Sequence, residues 1–292
     1  MLMIDFDFHI HSAPHSGCAK QSVKEAVARA YSAGIRTIAL CDHNCIDGLE
    51  EAKSECDKLG MTFVNGVELS VSVNGTSDSV DGKIIHVLGY NIKPDKALFA
   101  SLKAQFDKDY QAKLVAIIEY LRANGYKISD SVTTSKELRK ELCANGYFTE
   151  EREAKKFLSS EEMLTRFPPK KIPIDCVVDI IHSLGGLAVL AHPNSGEDHV
   201  HLQISQTNKI IKYLVSKGLD GIEVFHPETV SGSGVVENLL EQAKLYNLKV
   251  TLGSDRHHYD DECYGNTYFS MADKLKTIDY DFETIRTFWQ SC

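Results

Sequence analysis

The chain has 292 residues, enough for one large domain or a domain with an insertion, and 43% of them are hydrophobic, as in an ordinary globular protein. Lys and Arg number 32 against 41 Asp and Glu, a net charge of −9, and no basic run exceeds Pro169-Lys-Lys171; a grip on long nucleic acid is not expected. No apolar run approaches the length of a membrane span, and the N-terminal segment has no basic n-region, so no membrane partner and a cytoplasmic location are expected.

The first apolar run, residues 4–10, ends on His9-Ile-His11. Two histidines two apart on a strand point the same way, and just past a strand end such a pair can clamp a metal ion. Ser22-Val-Lys-Glu25 then reads as a capping box opening a helix that ends at Gly34. The second run, 37–43, ends on Asp42-His43. A helix starting in Asp47-Gly-Leu-Glu50 closes at Gly60. Runs 62–70 and 83–90 carry Glu68 and His86, 187–193 carries His192, 221–227 carries His226, and 249–257 carries Asp255, Arg256 and His257.

Helices near 174–184, 205–217 and 234–246 separate the later runs. All seven runs are short and rich in Val, Ile and Leu, so they read as buried parallel strands of a closed or nearly closed sheet. Residues 95–170 break the alternation. Leu98 to Ala123 repeats at helical spacing, and shorter helical stretches follow near 135–145 and 149–158. The chain thus divides into a discontinuous barrel, 1–94 and 171–292, and a helical insertion, 95–170. The insertion is expected to overhang the strand ends, with Lys136, Arg139 and Lys140 facing either a second phosphate or solvent. The eight cysteines have no disulfide-like spacing; Cys41, Cys56, Cys143 and Cys176 read as buried thiols in a reducing compartment.

Function in parallel α/β folds gathers beyond the carboxyl ends of the strands, where these His, Asp and Glu residues fall. Imidazole with carboxylate suits Zn, Mn or Fe. Two or three such ions can bind a phosphate, activate a water and stabilise a leaving oxygen.

With His9-Ile-His11-Ser12, Cys41-Asp42-His43-Asn44, Gly66-Val-Glu68-Leu-Ser70, His86, Leu190-Ala-His192-Pro193 and Gly253-Ser-Asp255-Arg-His257 in this order, the chain resembles the PHP-domain (polymerase and histidinol phosphatase) metal-dependent phosphoesterases. Gly185-Gly-Leu-Ala-Val-Leu-Ala-His192 and Gly218-Leu-Asp-Gly-Ile-Glu-Val-Phe-His226 are similar to the branch acting on nucleoside 3′,5′-bisphosphates and the 5′ ends of short RNA.

The resemblance implies a distorted seven-stranded (β/α)7 PHP barrel, two or three divalent transition metals, and a small phosphorylated substrate, a nucleotide or short oligonucleotide end. It implies a first metal position of His9, His11, Glu68 and Asp255. A second shares Glu68 and adds His86 and His192. A third uses His43 and His257 with a residue of the loop after the first strand. There Ser16 stands where the branch usually has Asp, so either His15 substitutes or the third position is weak or absent. The usual Gly-Arg-Pro-His stretch of the insertion is not found.

Asp42 either orients a ligating imidazole or caps the following helix. His226 is a candidate to bind phosphate or protonate the leaving oxygen. Arg256 is either an outward ion pair or a phosphate contact. His182 reads as packing, while His258 and the His199-Val-His201 pair read as surface. Tyr259 and Tyr264 are either base-stacking or ordinary loop aromatics.

The expected reaction is hydrolysis of a phosphomonoester by metal-activated water, and no G-x-S-x-G nucleophile elbow is present. The rivals are histidinol phosphate or a sugar phosphate as substrate, a non-catalytic PHP module, and a metal-dependent amidohydrolase; the last usually carries a bridging lysine, and no run here ends in one.

Overall fold

The computed structural model describes residues 4–73, 80, 83–168, 170–196, 200–232, 234–258, 275 and 278–291. Seven main strands form one sheet: β1 (Phe6–Ile10), β2 (Thr37–Leu40), β3 (Thr62–Ser72), β4 (Ile84–Tyr90), β6 (Leu187–Leu190), β9 (Gly221–Phe225) and β10 (Lys249–Leu252). They pair in that order, a two-residue strand β5 (Ile172–Pro173) joins the side of β3, and β7 (Ser195–Gly196) pairs antiparallel with β8 (Val200–His201) in a small sheet of its own. The ends nearly close. Ile10 bridges Arg256 beyond β10, and the His11 N–H donates to the Arg256 carbonyl at 3.0 Å.

One strand departs from the expected parallel arrangement: β4 runs antiparallel to both β3 and β6. The physical reason is the length of the link. A parallel return needs a crossover of a dozen or more residues, usually a helix, and residues 73–83 are too few. The reversal matters for the site. His86 lies near the amino end of β4, opposite Ser70 near the end of β3, so it still reaches the rim where the other strands finish.

Helices α1 (Val23–Ser32), α2 (Leu49–Leu59), α7 (Ile174–Ser183), α8 (Ile204–Ser216) and α9 (Val235–Tyr246) connect strands. The capping box of α1 forms as its sequence requires, Ser22 and Glu25 each accepting from the other's backbone N–H. Toward the opposite rim, Phe8, Tyr90 and Trp289 pack together, the last from a C-terminal helix (Phe282–Ser291). Tyr90 donates to the Phe8 carbonyl at 2.8 Å and Trp289 Nε1 to the Val250 carbonyl at 3.0 Å, so each polar tip in this apolar region is satisfied. Cys41 and Cys56 are buried, whereas Cys143 is half-buried and Cys176 exposed.

The chain divides into two compact units, residues 1–99 with 172–292, and residues 100–171. The second unit holds most of α3 (Lys96–Ala123) with α4 (Ser135–Ala144), α5 (Glu151–Leu158) and α6 (Glu161–Arg166). Its core is Leu114, Ile117, Ile118, Leu121, Leu138, Leu142, Ala154 and Met163. On α4, Leu138 and Leu142 face that core while Lys136 and Lys140 are exposed and Arg139 half-buried.

Candidate metal centre

Alternation along β1 places Asp7, His9 and His11 on one face. Asp7 accepts from the Ser254 N–H at 2.9 Å and the Ser254 hydroxyl at 2.6 Å, which ties the loop carrying Asp255 to the first strand. Gly253 is required there: a Cβ would collide with His9 Cβ and Glu223 Oε1. Beyond it Asp255 sits at φ +51°, and His192 sits at φ +23°, both left-handed conformations for non-glycine residues. Such backbone strain, of order 1–3 kcal/mol each, persists where the surroundings over-determine it, commonly at functional sites.

These loops converge on Glu68, which is fully buried. Its Oε2 lies 3.4 Å from His9 Nε2, 3.3 Å from His11 Nε2 and 3.0 Å from His43 Nδ1. Its Oε1 lies 2.9 Å from His86 Nδ1 and 2.9 Å from His192 Nε2. One carboxylate therefore faces two separate sets of imidazoles. Asp255 Oδ1 reaches His11 Nε2 at 2.8 Å and His9 Nε2 at 3.5 Å.

The outer ring nitrogens fix the orientation. His9 Nδ1 is 2.9 Å from Glu223 Oε1, so it donates there and turns Nε2 to the centre. Glu223 also accepts the His192 backbone N–H on Oε2 at 2.8 Å. His11 Nδ1 meets Ser16 Oγ at 3.1 Å, and His257 Nδ1 meets the Asp255 carbonyl at 2.8 Å. His226 Nδ1 accepts from the Glu228 N–H at 3.2 Å, so its proton belongs on Nε2, which is buried and 3.5 Å from Asp255 Oδ2.

Asp42 acts one step further out than a direct partner of an imidazole. It accepts from the Ser12 N–H at 2.6 Å, the Ser12 hydroxyl at 2.7 Å and the Ser16 hydroxyl at 2.9 Å. Ser16 Oγ in turn accepts the His43 N–H at 2.9 Å. Ser16 therefore spends its hydroxyl on holding His11 and His43.

The arrangement fits metal ions. Among the described residues, the buried atoms with no hydrogen-bond partner include His43 Nδ1, Glu68 Oε2, His86 Nε2, His226 Nε2 and Asp255 Oδ1. His43 Nδ1 and Glu68 Oε2 are 3.0 Å apart yet are not aligned to share a proton. Uncompensated atoms of this kind are costly; for His43 Nδ1, Glu68 Oε2 and Asp255 Oδ1, which converge with His11 Nε2, a shared cation explains them. At this centre, among the described residues, the groups whose ligand atoms lie within 4.8 Å of one another are His9, His11, Glu68 and Asp255; His43, Glu68 and His86; and His11, His43 and His257.

The electrostatics agree. Burial alone would neutralise Glu68 and Asp255, but the surrounding imidazoles, His43 and His86 first for Glu68 and His9 first for Asp255, hold both carboxyls well below their usual range. Conversely, burial would lower His11 and His192, but bonds to Asp255 and Glu68 raise each to about 9. His257 is driven down to about 3 by burial and then by the charge of His11. The site holds excess negative charge that only protons or metal cations can balance.

The structure thus brings together His9, His11, His43, Glu68, His86, His192, His226, Asp255 and His257. It does not bring His15 to His43 and His257; His15 gathers with Cys45 and Asp47 instead. The Arg256 carbonyl closes the barrel through the His11 N–H. His182 pairs with Asp220 at 2.8 Å rather than packing in the core. His199, Tyr259 and Tyr264 lie outside the described residues, as does the side chain of His201. Sequence reasoning missed Glu223 and Asp7. The signal was present: each is a lone carboxylate between apolar residues of a buried strand, which is costly unless it holds something.

A family model described as PHP domain matches residues 7–160. The chain belongs to the PHP domain family. It is a metal-dependent phosphoesterase, a hydrolase with a multi-histidine, Glu and Asp cluster able to hold metal ions. A relative from Haemophilus influenzae named 5′-3′ exoribonuclease is 27% identical over 268 residues, covering 86% of this chain and 89% of its own. A 3′,5′-nucleoside bisphosphate phosphatase of Chromobacterium violaceum is 35% identical over 103 residues, covering 35% of this chain and 33% of its own. A solved structure described as an amidohydrolase from Chromobacterium violaceum superposes with a TM-score of 0.64 at 22% identity, covering 89% of each chain; at that identity the likeness is one of fold.

Proposed function

We propose that this enzyme hydrolyses a phosphomonoester on a nucleotide, with a nucleoside 3′,5′-bisphosphate or the 5′ end of a short RNA as the substrate class. The observation that carries the reading is Glu68, with one oxygen facing His9, His11 and His43 and the other facing His86 and His192. His9, His11, Glu68 and Asp255 would hold one ion, and Glu68, His86 and His192 a second, with Mn, Zn or Fe suited to this donor set. His43 and His257 would serve a third position without His15, which gathers with Cys45 and Asp47.

Bound ions of this kind lower the pKa of water toward neutrality and neutralise charge on phosphate oxygens. The chain supplies the rest. Glu223 and Ser16 set the orientation of His9 and His11. His226, with its proton on Nε2, would donate a hydrogen bond to a phosphate oxygen or to the departing oxygen. Asp42 stiffens the loop through Ser12 and Ser16, a positioning role. Arg256 is the candidate for a further phosphate contact.

The named activities of these two relatives support a nucleotide substrate, and among the described residues no strand ends in lysine, which speaks against amidohydrolase chemistry. The test is a panel of nucleoside 3′,5′-bisphosphate, 5′-phosphorylated dinucleotide, histidinol phosphate and sugar phosphates with metal-reconstituted enzyme. The reading expects the highest kcat/KM on one of the two nucleotides. A preference for histidinol phosphate or a sugar phosphate would replace it with the corresponding small-molecule phosphatase.

A further inference from the structure

One group of ligand-type side chains outside the barrel centre is left without a role. His15 follows β1, and Cys45 and Asp47 follow β2. One ligand atom from each lies within 4.8 Å of the other two. Imidazole nitrogen, thiol sulfur and carboxylate oxygen meet there. His15 and Cys45 are half-buried and Asp47 is exposed, so the group opens to solvent on one side. Behind it sits Gly48. A Cβ at this position would come within 3.0 Å of His15 Cδ2 and 3.2 Å of Asp42 Oδ2, so the missing side chain leaves room for the His15 ring.

We propose that His15, Cys45 and Asp47 form a separate mononuclear site for a thiophilic divalent cation, zinc foremost, with a fourth position left to water. Zinc takes sulfur, nitrogen and oxygen donors at about 2.0–2.3 Å in tetrahedral geometry. Donor atoms around such an ion stand roughly 3–4 Å apart by that geometry, so three atoms already within 4.8 Å need only rotamer adjustments to close on it. The parallel pairing of β1 with β2 brings the two loops side by side, and the two-residue spacing of Cys45 and Asp47 presents sulfur and carboxylate together.

The site is chemically distinct from the barrel centre, whose donors are nitrogen and oxygen only. Thiolate sorts metals by softness, favouring zinc or cobalt over manganese and magnesium. The two sites can therefore take different ions from the same solution. The proposal does not rest on the identity of the phosphorylated substrate.

Cobalt(II) titration of the full chain tests it, because a thiolate–cobalt charge-transfer band in the near ultraviolet reports a sulfur ligand that the barrel centre lacks. The wild type should show the band and bind one equivalent more than Cys45→Ser. Cys45→Ser and His15→Ala should lose the band, Cys18→Ser should keep it, and the phosphatase activity of Cys45→Ser should persist. Should Cys45→Ser fail to fold, Asp47→Asn at its exposed position should weaken the extra equivalent at least tenfold. No band in the wild type, or a band and stoichiometry unchanged in Cys45→Ser or Asp47→Asn, would overturn the proposal.

Discussion

The two units of the chain bury opposite things. Among the described residues, every buried polar or charged side chain, from Asp7 to Asp255, belongs to the barrel unit; the helical unit, residues 100–171, buries only apolar ones. The helical core of Leu114, Leu121, Leu138 and Leu142 is held by transfer of hydrocarbon from water. The barrel centre buries Glu68, Glu223 and Asp255 beside five buried histidines, His9, His11, His86, His192 and His226, an arrangement that is costly unless each charge is matched. A core of the first kind supplies stability. One of the second kind spends stability to hold a site, and its geometry depends on every partner being present.

Substitutions in the two units should therefore fail differently. The largest effect on folding is expected for Leu121→Ala, fully buried in the helical core. It should cost about 2–5 kcal/mol of stability by the usual transfer and cavity terms, read by urea unfolding, while metal affinity at the barrel centre stays unchanged. A parallel loss of metal affinity would break the separation.

The next largest effect belongs to Glu223→Gln. Its carboxylate holds both His9 Nδ1 and the His192 N–H, and loss of such a partner typically costs about 10–100-fold in metal affinity or activity. Metal titration by calorimetry should show that drop with little change in the unfolding midpoint of chelator-treated protein. An affinity equal to wild type would mean that Glu223 does not orient His9.

A smaller effect is expected from pH. His11 and His192 are raised from 6.5 to about 9 in the folded chain by Asp255 and Glu68. Their contribution to the stability of metal-free protein is fully present below pH 6.5 and is lost as pH rises through 9. The urea midpoint of chelator-treated protein should therefore fall between pH 6.5 and 9. Added metal should restore it increasingly over the same interval, since ligation needs the neutral imidazole. A midpoint that is flat across this interval without metal would contradict the charge balance drawn for the site.

The sequence was legible where a residue type and a strand end coincided. His9, His11, Glu68, His192 and Asp255 each lie at or near the end of an apolar run, and the structure brings them to one centre. The strands themselves were legible through short apolar runs, and the helices through caps such as Ser22 and Gly60. What was not legible depends on pairing rather than pattern. The antiparallel course of β4 follows from link length, not from the composition of Ile84–Tyr90. Asp7 and Glu223 sit mid-strand, and their purpose shows only when His9, His192 and Ser254 are seen across the barrel. Chain proximity to Ser16 suggests His15 for the third position, whereas the fold turns it toward Cys45 and Asp47.

The central claim is that Glu68 serves two ions at once, and metal stoichiometry of Glu68→Gln tests it most directly. Protein purified without chelator and reconstituted with manganese or zinc would be analysed for metal per chain beside the wild type, with phosphatase turnover measured on the same samples. The account predicts at least two ions at the wild-type barrel centre, loss of more than one from that centre in Glu68→Gln, and no detectable turnover. A Glu68→Gln protein that keeps its metal and full activity would contradict the bridging role and with it the account of the site.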